Sequence, residues 1–389
     1  MIANFSFKIY TSTDDLPLEW DSLAANNIFL SYDYLKVLED SAPDNMICHF
    51  VGLFKEENLV GIALSQFIDL SNISSFGERD HCIRKKVRTF VFKNLSSKVL
   101  VLGNNMLTGQ NGYYFSKNIP ASEGLIQLNQ AAEALRHLFA KKGLKTHLTI
   151  FKDFLATDIQ YFNIPEFNSY FKFSTQPNML FLIRESWKTF DDYIDSKSKK
   201  YRDQFKRARK KSVGITKRKL KIEEIRSYRS RIYELYMNVA KNAPFNTFYL
   251  PENHFESFKE SLKDNFLFYG YFIEEELIGF NTLIKNRSDI DTYFLGYDDK
   301  YQREKMLYLN MLYDMIGYSI NKQYKRIIFA RTALEIKSSV GAKPIDMFGL
   351  MKHSNFFINL FVSKTFRFFE PKMVWQERNP FKEEPTLKQ

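Results

Sequence analysis

Glu335 and Lys337 are the residues best placed by type and spacing to do chemistry. They follow the β-rich run RIIFARTAL, and the chain breaks beyond them at Gly341 and Pro344. They are therefore expected near a strand end, where binding sites often form. Two residues apart on an extended chain, they would share one face. A carboxylate there takes a proton from an amine, and an ammonium binds a carboxylate or phosphate, or polarises a carbonyl. Arg331 belongs to the same cluster, and the competing reading of the pair is an ordinary surface ion pair. His353 has the intrinsic pKa of a general base, or else it is a satisfied histidine at a helix end. Tyr293 and Tyr297 lie around Gly296 on an expected central strand, with packing as the competing role in a chain of 22 tyrosines. Asp298 and Asp299 orient an amine or cap the next helix.

Other chemistries find no support. There is no GxSxG elbow. Cys48 and His49 are adjacent, so on a strand they point to opposite faces and form no nucleophile–base pair. The two cysteines, Cys48 and Cys82, make neither a disulfide scaffold nor a CxxC pair, and the six histidines show no ligand spacing. No metal is expected.

The elements that must carry these residues repeat. FVGLFKEENLVGIAL (50–64) and FYGYFIEEELIGFNT (268–282) are identical at seven of fifteen positions, at a constant offset of 218. Each reads as a hairpin with an acidic pair in the turn. Each is followed by apolar residues at helical spacing, Leu128, Ala131, Leu135 and Leu138 in one copy and Leu309, Leu312, Ile316 and Ile320 in the other. A Lys-containing turn and a β-rich run, THLTIF or KRIIFA, then follow. This order predicts a duplicated α/β (α+β) chain, each domain a mixed central sheet flanked by helices. The boundary is expected near 165–177, giving domains 1–166 and 167–389.

Between Lys197 and Lys221 stand thirteen Lys or Arg and one acid, Asp203. The whole chain has 56 basic and 45 acidic residues, so the remainder carries a net charge of −1. Ile194, Tyr201, Phe205 and Ala208 make one apolar stripe, which predicts an amphipathic helix with a basic outer side. ITKRKLKIEE then alternates like a short strand. A solvated face, a phosphate-bearing partner such as coenzyme A or an acidic acyl carrier, and tRNA are the three readings of this helix. A DNA reader is not expected, because no recognition motif or broad basic footprint accompanies it. Nothing resembles a signal sequence or a span of eighteen apolar residues, so a cytoplasmic protein is expected, with a peripheral contact at the inner face of the membrane left open.

Three motifs resemble the tandem GNAT-fold N-acyltransferases, including the FemABX-like aminoacyltransferases and the N-acyltransferases linked with peptidoglycan biosynthesis. They are FLSYDYLKVLEDSAPDN (29–45), YIDSKSKKYRDQFKRARKK with its Ser-Lys-x-x-Arg helix, and ARTALEIKSSVGAKPIDMFGLMKH (330–353). The resemblance implies two GNAT-like domains, the first degenerate and the second catalytic. It implies an acyl-CoA or acyl carrier protein co-substrate, no tightly bound cofactor, and an amine acceptor such as an amino lipid, amino sugar or cell-wall precursor. It also implies that Tyr293 is the leaving-thiol acid. Arg303, Lys305, Tyr297, Lys199, Arg202 and Arg331 would hold donor phosphates. Single-domain GNAT enzymes cradle a pyrophosphate on a glycine-rich turn opening a helix. The matching stretch here, GYDDKYQREKMLYLNML (296–312), has Arg303 but no glycine after it. That departure turns the expectation from acetyl-CoA toward long-chain acyl-CoA, an acyl carrier or aminoacyl-tRNA. Two alternatives stand beside the acyltransferase: a tRNA-dependent aminoacyltransferase and a non-catalytic carrier-binding protein.

Overall fold

Both acidic-pair segments form hairpins in the computed structural model, which describes residues 5–71, 96–243, 246–362 and 375–382. Cys82 lies outside the described residues. In the first hairpin, β2 (Met46–Lys55) pairs with β3 (Asn58–Asp69) around Glu56 and Glu57, both at positive φ. In the second, β9 (Phe266–Ile273) pairs with β10 (Glu276–Asn286) around Glu274, at φ 52°. Two-residue turns of this hand match the right-handed twist of the flanking strands. β3 and β10 are buried along almost their whole length. Strands covered on both faces read as continuous apolar runs, and these do.

The chain divides into two compact units. The first comprises Met1–Thr175, Ala243–Ser261 and Asp346–Lys372; the second comprises Gln176–Asn242, Leu262–Ile345 and Met373–Gln389. In the first unit the strand order is β1 (Phe5–Tyr10), β2, β3, β4 (Lys98–Leu102), β6 (Leu148–Phe154) and the Phe348–His353 part of β13 (Lys343–His353). The short β5 (Tyr113–Phe115) adds to β3. Among the described strands of this unit only β4 and β6 run parallel, joined by the Ala121–Lys141 helix, which buries Leu125, Leu128, Ala131, Leu135 and Phe139 on one side.

In the second unit the order is Leu180–Leu182 of β7 (Phe171–Leu182), then β12 (Arg326–Ile328), β11 (Asp289–Tyr297), β10, β9 and β8 (Thr216–Lys219). Again one pair, β11 and β12, is parallel, and again a helix, Leu307–Asn321, makes the crossover. Its core gathers Ile316, Ile320, Ile327, Leu312 and Phe329 around Met179 and Phe181. The helix Arg229–Lys241 covers the other face, and at Gly296 an added Cβ would sit 2.5 Å from the Leu235 carbonyl carbon. Glycine is therefore required for that close approach.

The basic segment departs from one expectation. The helix predicted from the Ile194–Ala208 stripe is not continuous. Thr189 opens a short helix, Phe190–Asp195, with a capping box to Asp192, and a second helix, Lys199–Lys211, starts after Ser198. The first helix ends at Asp195, and Ser198, with extended backbone, stands at the start of the second without a side-chain capping bond, its carbonyl accepting from Tyr201 and Arg202 N–H. The expected stripe survives the break, because Tyr201 and Ala208 are buried while Ile194 and Phe205 pack on the same core.

Candidate active site in the second unit

The parallel ladder between β11 and β12 is three residues long, Asp289–Asp291 against Arg326–Ile328. Past Ile328 the chain stays with β7, as Phe329 N–H donates to the Met179 carbonyl and Met179 N–H to the Ala330 carbonyl. The two parallel strands therefore part at Asp291. Two residues further along, the pairing of β10 with β11 slips, so that Tyr293 and Phe294 together oppose Thr282. The Thr282 hydroxyl donates to the Phe294 carbonyl at 2.6 Å and fixes this bulge. Bulges re-aim side chains and recur beside active sites. Here Leu295 and Tyr297 turn to the core under the Leu307–Asn321 helix, Tyr297 lying 6.2 Å from Tyr308 between ring centroids. Tyr293 is nearly enclosed.

Asp291 stands where the strands part and is buried. Burial, reinforced by the nearby Asp289 charge, raises its carboxyl to about 7, although Asn286 Nδ2 donates to it at 3.5 Å. A carboxyl titrating near neutrality at a strand opening is a candidate acid–base group. The sequence shows it only as one of two aspartates, Asp289 and Asp291, opening a strand-like run, with nothing to indicate its burial.

Glu335 and Lys337 occupy a helix, Leu334–Val340, and not an extended segment, so they do not share a face. ALEIKSSV is composed largely of helix-compatible residues, and Gly341 at φ 112° supplies a left-handed C-terminal stop. Lys337 is buried, and its Nζ donates to the carbonyls of Phe329 and Arg331 at 2.6 Å each and of Ala330 at 3.4 Å. It thereby closes a loop in which Ala330, Thr332 and Ala333 all have positive φ. Burial lowers its pKa to about 7. Glu335 is half-exposed and accepts from Gln376 N–H at 3.2 Å and from Arg378 Nη2 at 3.3 Å, anchoring the segment 375–382. Its partner is thus Arg378. His353 ends β13 in the first unit, where its Nδ1 accepts from Asn355 N–H at 2.9 Å.

The cations divide in two. Lys199, Lys200, Lys206, Arg207, Lys210 and Lys211 are exposed along the Lys199–Lys211 helix. Arg202 instead donates to the Lys197 carbonyl, and Arg209 to Asp314 at 2.7 Å and Asn310 at 3.2 Å, docking the helix on the core. The helix Asp299–Lys305 packs beside it, with Arg303 exposed and Lys305 3.3 Å from Glu304. Its N-terminus is occupied by acids: Asp298 caps Lys300 N–H at 2.9 Å and meets Arg231 at 3.3 Å, and Asp299 lies in the first turn. A phosphate there would meet two carboxylates, so this helix start is not an anion cradle.

Lys197, absent from the sequence-based candidates, is wholly enclosed. Its Nζ lies 4.5 Å from the Tyr193 ring centroid, 5.5 Å from Tyr313 and 5.8 Å from Phe381, with no hydrogen-bond partner among the described residues. Burial lowers its pKa to about 7. Its sequence context, inside a run of exposed cations, hides it.

Hairpin, strand, crossover helix and parallel strand, given twice in one chain, define the tandem GNAT-like fold that the motifs suggested. The crystal structure of FemX aligns with 88% of this chain and 96% of its own, at 10% identity and a TM-score of 0.51, and so has the same fold. A tandem GNAT protein from the clavulanic acid biosynthesis pathway aligns over 90% of this chain and 99% of its own, at 9% identity and a TM-score of 0.49. L-PGS from Bacillus licheniformis aligns over 86% and 95%, at 12% identity and a TM-score of 0.45. No protein family and no curated protein sequence matches the chain. Among the described residues no helix is long and apolar enough to cross a membrane.

Proposed function

We propose that the chain is an N-acyltransferase that moves an acyl group from a thioester, acyl-CoA or an acyl carrier protein, to an amine such as an amino lipid, amino sugar or cell-wall precursor. The second repeat is catalytic and the first is degenerate. The observation that carries this reading is the parting of β11 from β12 at Asp291, beside the Tyr293–Phe294 bulge. The acyl thioester lies in that opening. Asp291 takes a proton as the amine attacks the thioester carbonyl, the carbon–sulfur bond breaks, and Tyr293 returns a proton to the leaving thiolate. Lys337 acts through the backbone it holds, and Glu335 through the segment it anchors; both are positioning residues. Donor phosphates are met by Lys199 and its exposed neighbours, with Arg303, because acids fill the start of the Asp299–Lys305 helix. The reading is tested by thiol release from palmitoyl-CoA in the presence of an amino-lipid and amino-sugar panel. Asp291→Asn is expected to lower turnover by about a hundredfold or more, the usual worth of a general base. Unchanged turnover in that variant removes Asp291 from the mechanism, and absence of release across the panel counts against the transferase.

One observation favours a second reading, a tRNA-dependent aminoacyltransferase: six exposed cations lie on the Lys199–Lys211 helix. That reading requires tRNA binding that falls steeply with salt, through counterion release.

A further inference from the structure

The first unit carries an apolar patch and a basic cleft side by side. Among the described residues, Phe356, Phe357, Leu360 and Phe361 are 70%, 74%, 60% and 58% exposed within six consecutive positions. The remaining exposed large hydrophobics are scattered singly or in isolated places along the chain. A cluster of this kind is uncommon on a soluble surface and marks an interaction site. The patch is held outward by its own hydrogen bonds. Ser354 N–H donates to the His147 carbonyl at 2.8 Å, Asn359 Oδ1 accepts from His353 N–H at 2.7 Å, and Asn359 Nδ2 donates to the Ser169 carbonyl at 2.8 Å. Asn355 caps the short Phe356–Asn359 helix through Ile358 N–H at 3.2 Å.

Ser354 and Asn355, which lead into the patch, also line a cleft of about 410 Å³ whose other walls include Arg136, His137, Lys145 and Thr146. From Arg136 to His147 the chain has four Lys or Arg and no acid, and Lys141, Lys142 and Lys145 are exposed. Glu133 pairs with Arg136 and with Lys352 beside this wall. Thr146 buries a hydroxyl with no hydrogen-bond partner among the described residues. The cleft lies at the C-terminal end of the Ala121–Lys141 helix.

We propose that this face docks the protein on an anionic phospholipid surface, with Phe356, Phe357, Leu360 and Phe361 entering the headgroup–acyl boundary and a lipid phosphate seated in the cleft of Arg136, His137, Lys145 and Thr146. Charge selects this occupant: aromatic and aliphatic side chains flanked by cations are the composition of an interfacial anchor. A protein partner would leave the cations of the cleft without a stated role. The inference is independent of the proposed acyl transfer.

The test is co-sedimentation of the full chain with vesicles of phosphatidylcholine alone and of phosphatidylcholine mixed equally with phosphatidylglycerol. Binding is expected only to the mixed vesicles. Phe356→Ser with Phe357→Ser, and separately Lys145→Glu, should each weaken it about tenfold or more, because stable anchoring needs both the apolar and the basic signal. Lys206→Glu, on the basic helix of the second unit, should leave it unchanged. Melting temperatures confirm that each variant is folded, and Lys145→Glu alone suffices if the phenylalanine variant is not. Equal binding to both vesicle types, loss in Lys206→Glu with none in Lys145→Glu, or a melting shift with inorganic phosphate and no vesicle binding would each overturn the proposal, the last assigning the cleft to a soluble anion.

Discussion

Two lysines with lowered pKa values have opposite structural logic. Lys337 has three carbonyls within reach and organises a loop of left-handed residues, so Lys337→Met leaves buried acceptors unmet. A loss of about 2–3 kcal/mol is expected in denaturant unfolding, as for other charge-assisted hydrogen bonds. Lys197 Nζ faces the Tyr193, Tyr313 and Phe381 rings, with no hydrogen-bond partner among the described residues. Its folded pKa of about 7 lies below the ordinary lysine value near 10.4. The unfolded chain therefore binds more protons across that window, and stability rises with pH from about 7 to 10 on its account. Lys197→Met is expected to flatten part of that rise and to stabilise the protein at pH 7 by about 1–3 kcal/mol, since it removes a buried polar group without a hydrogen bond. Destabilisation at pH 7 would contradict this account. Asp291 works with the opposite sign. Its raised pKa means the folded state keeps a proton between about pH 4 and 7 that the unfolded chain has lost, so stability falls as pH rises through that range. Asp291→Asn should therefore stabilise the fold above pH 7 while lowering turnover, and a calorimetric pH series on the variant checks the first half. None of these three environments is legible in sequence. Lys337 was singled out by type and position, but its burial, and the burial of Lys197 and Asp291, depend on residues distant in the chain.

At the scale of elements, the repeat made the hairpins and crossover helices readable, because an acidic pair between apolar runs and a 3.6-residue apolar period are local signals. The turns carry a stability margin. Glu56 and Glu57 both hold positive φ, at 50° and 70°, a conformation that costs non-glycine residues about 1 kcal/mol each. Replacing them by Asn-Gly should raise stability by about 1 kcal/mol without moving the register, checked by thermal unfolding. The basic helix divides by face. Arg209→Ala should cost about 1–3 kcal/mol, because Asp314 and Asn310 each lose a donor, Asp314 keeping Tyr271 and Lys217. Arg207→Ala, at an exposed position, should change stability by no more than about 0.5 kcal/mol. The helix Leu334–Val340 was missed, since seven residues after a strand give too few periods to show a pattern and its N-terminus has no side-chain cap.

At the scale of the whole molecule, the duplication was legible but the composition of each unit was not. Residues 243–261 and 346–372 belong to the first unit. His254 is buried there with its ring nitrogen 2.8 Å from the Ser41 carbonyl, and β13 extends the sheet through β6. Such exchange follows from long-range pairing, for which a single sequence carries no periodic signal. Residues 1–175 expressed alone therefore lack a strand and a buried helix, and should not give a cooperative melt. The central claim is that the second unit binds an acyl thioester. It is tested most directly by the melting temperature with coenzyme A, palmitoyl-CoA, an acylated carrier protein and bulk tRNA, each at low and high salt. A ligand at one hundred times its dissociation constant adds about 2.7 kcal/mol, a shift of several degrees in domains of this size. We expect that shift with palmitoyl-CoA or the acylated carrier, surviving moderate salt. A shift with tRNA alone that vanishes at high salt, or no shift with any of the four, would contradict the account.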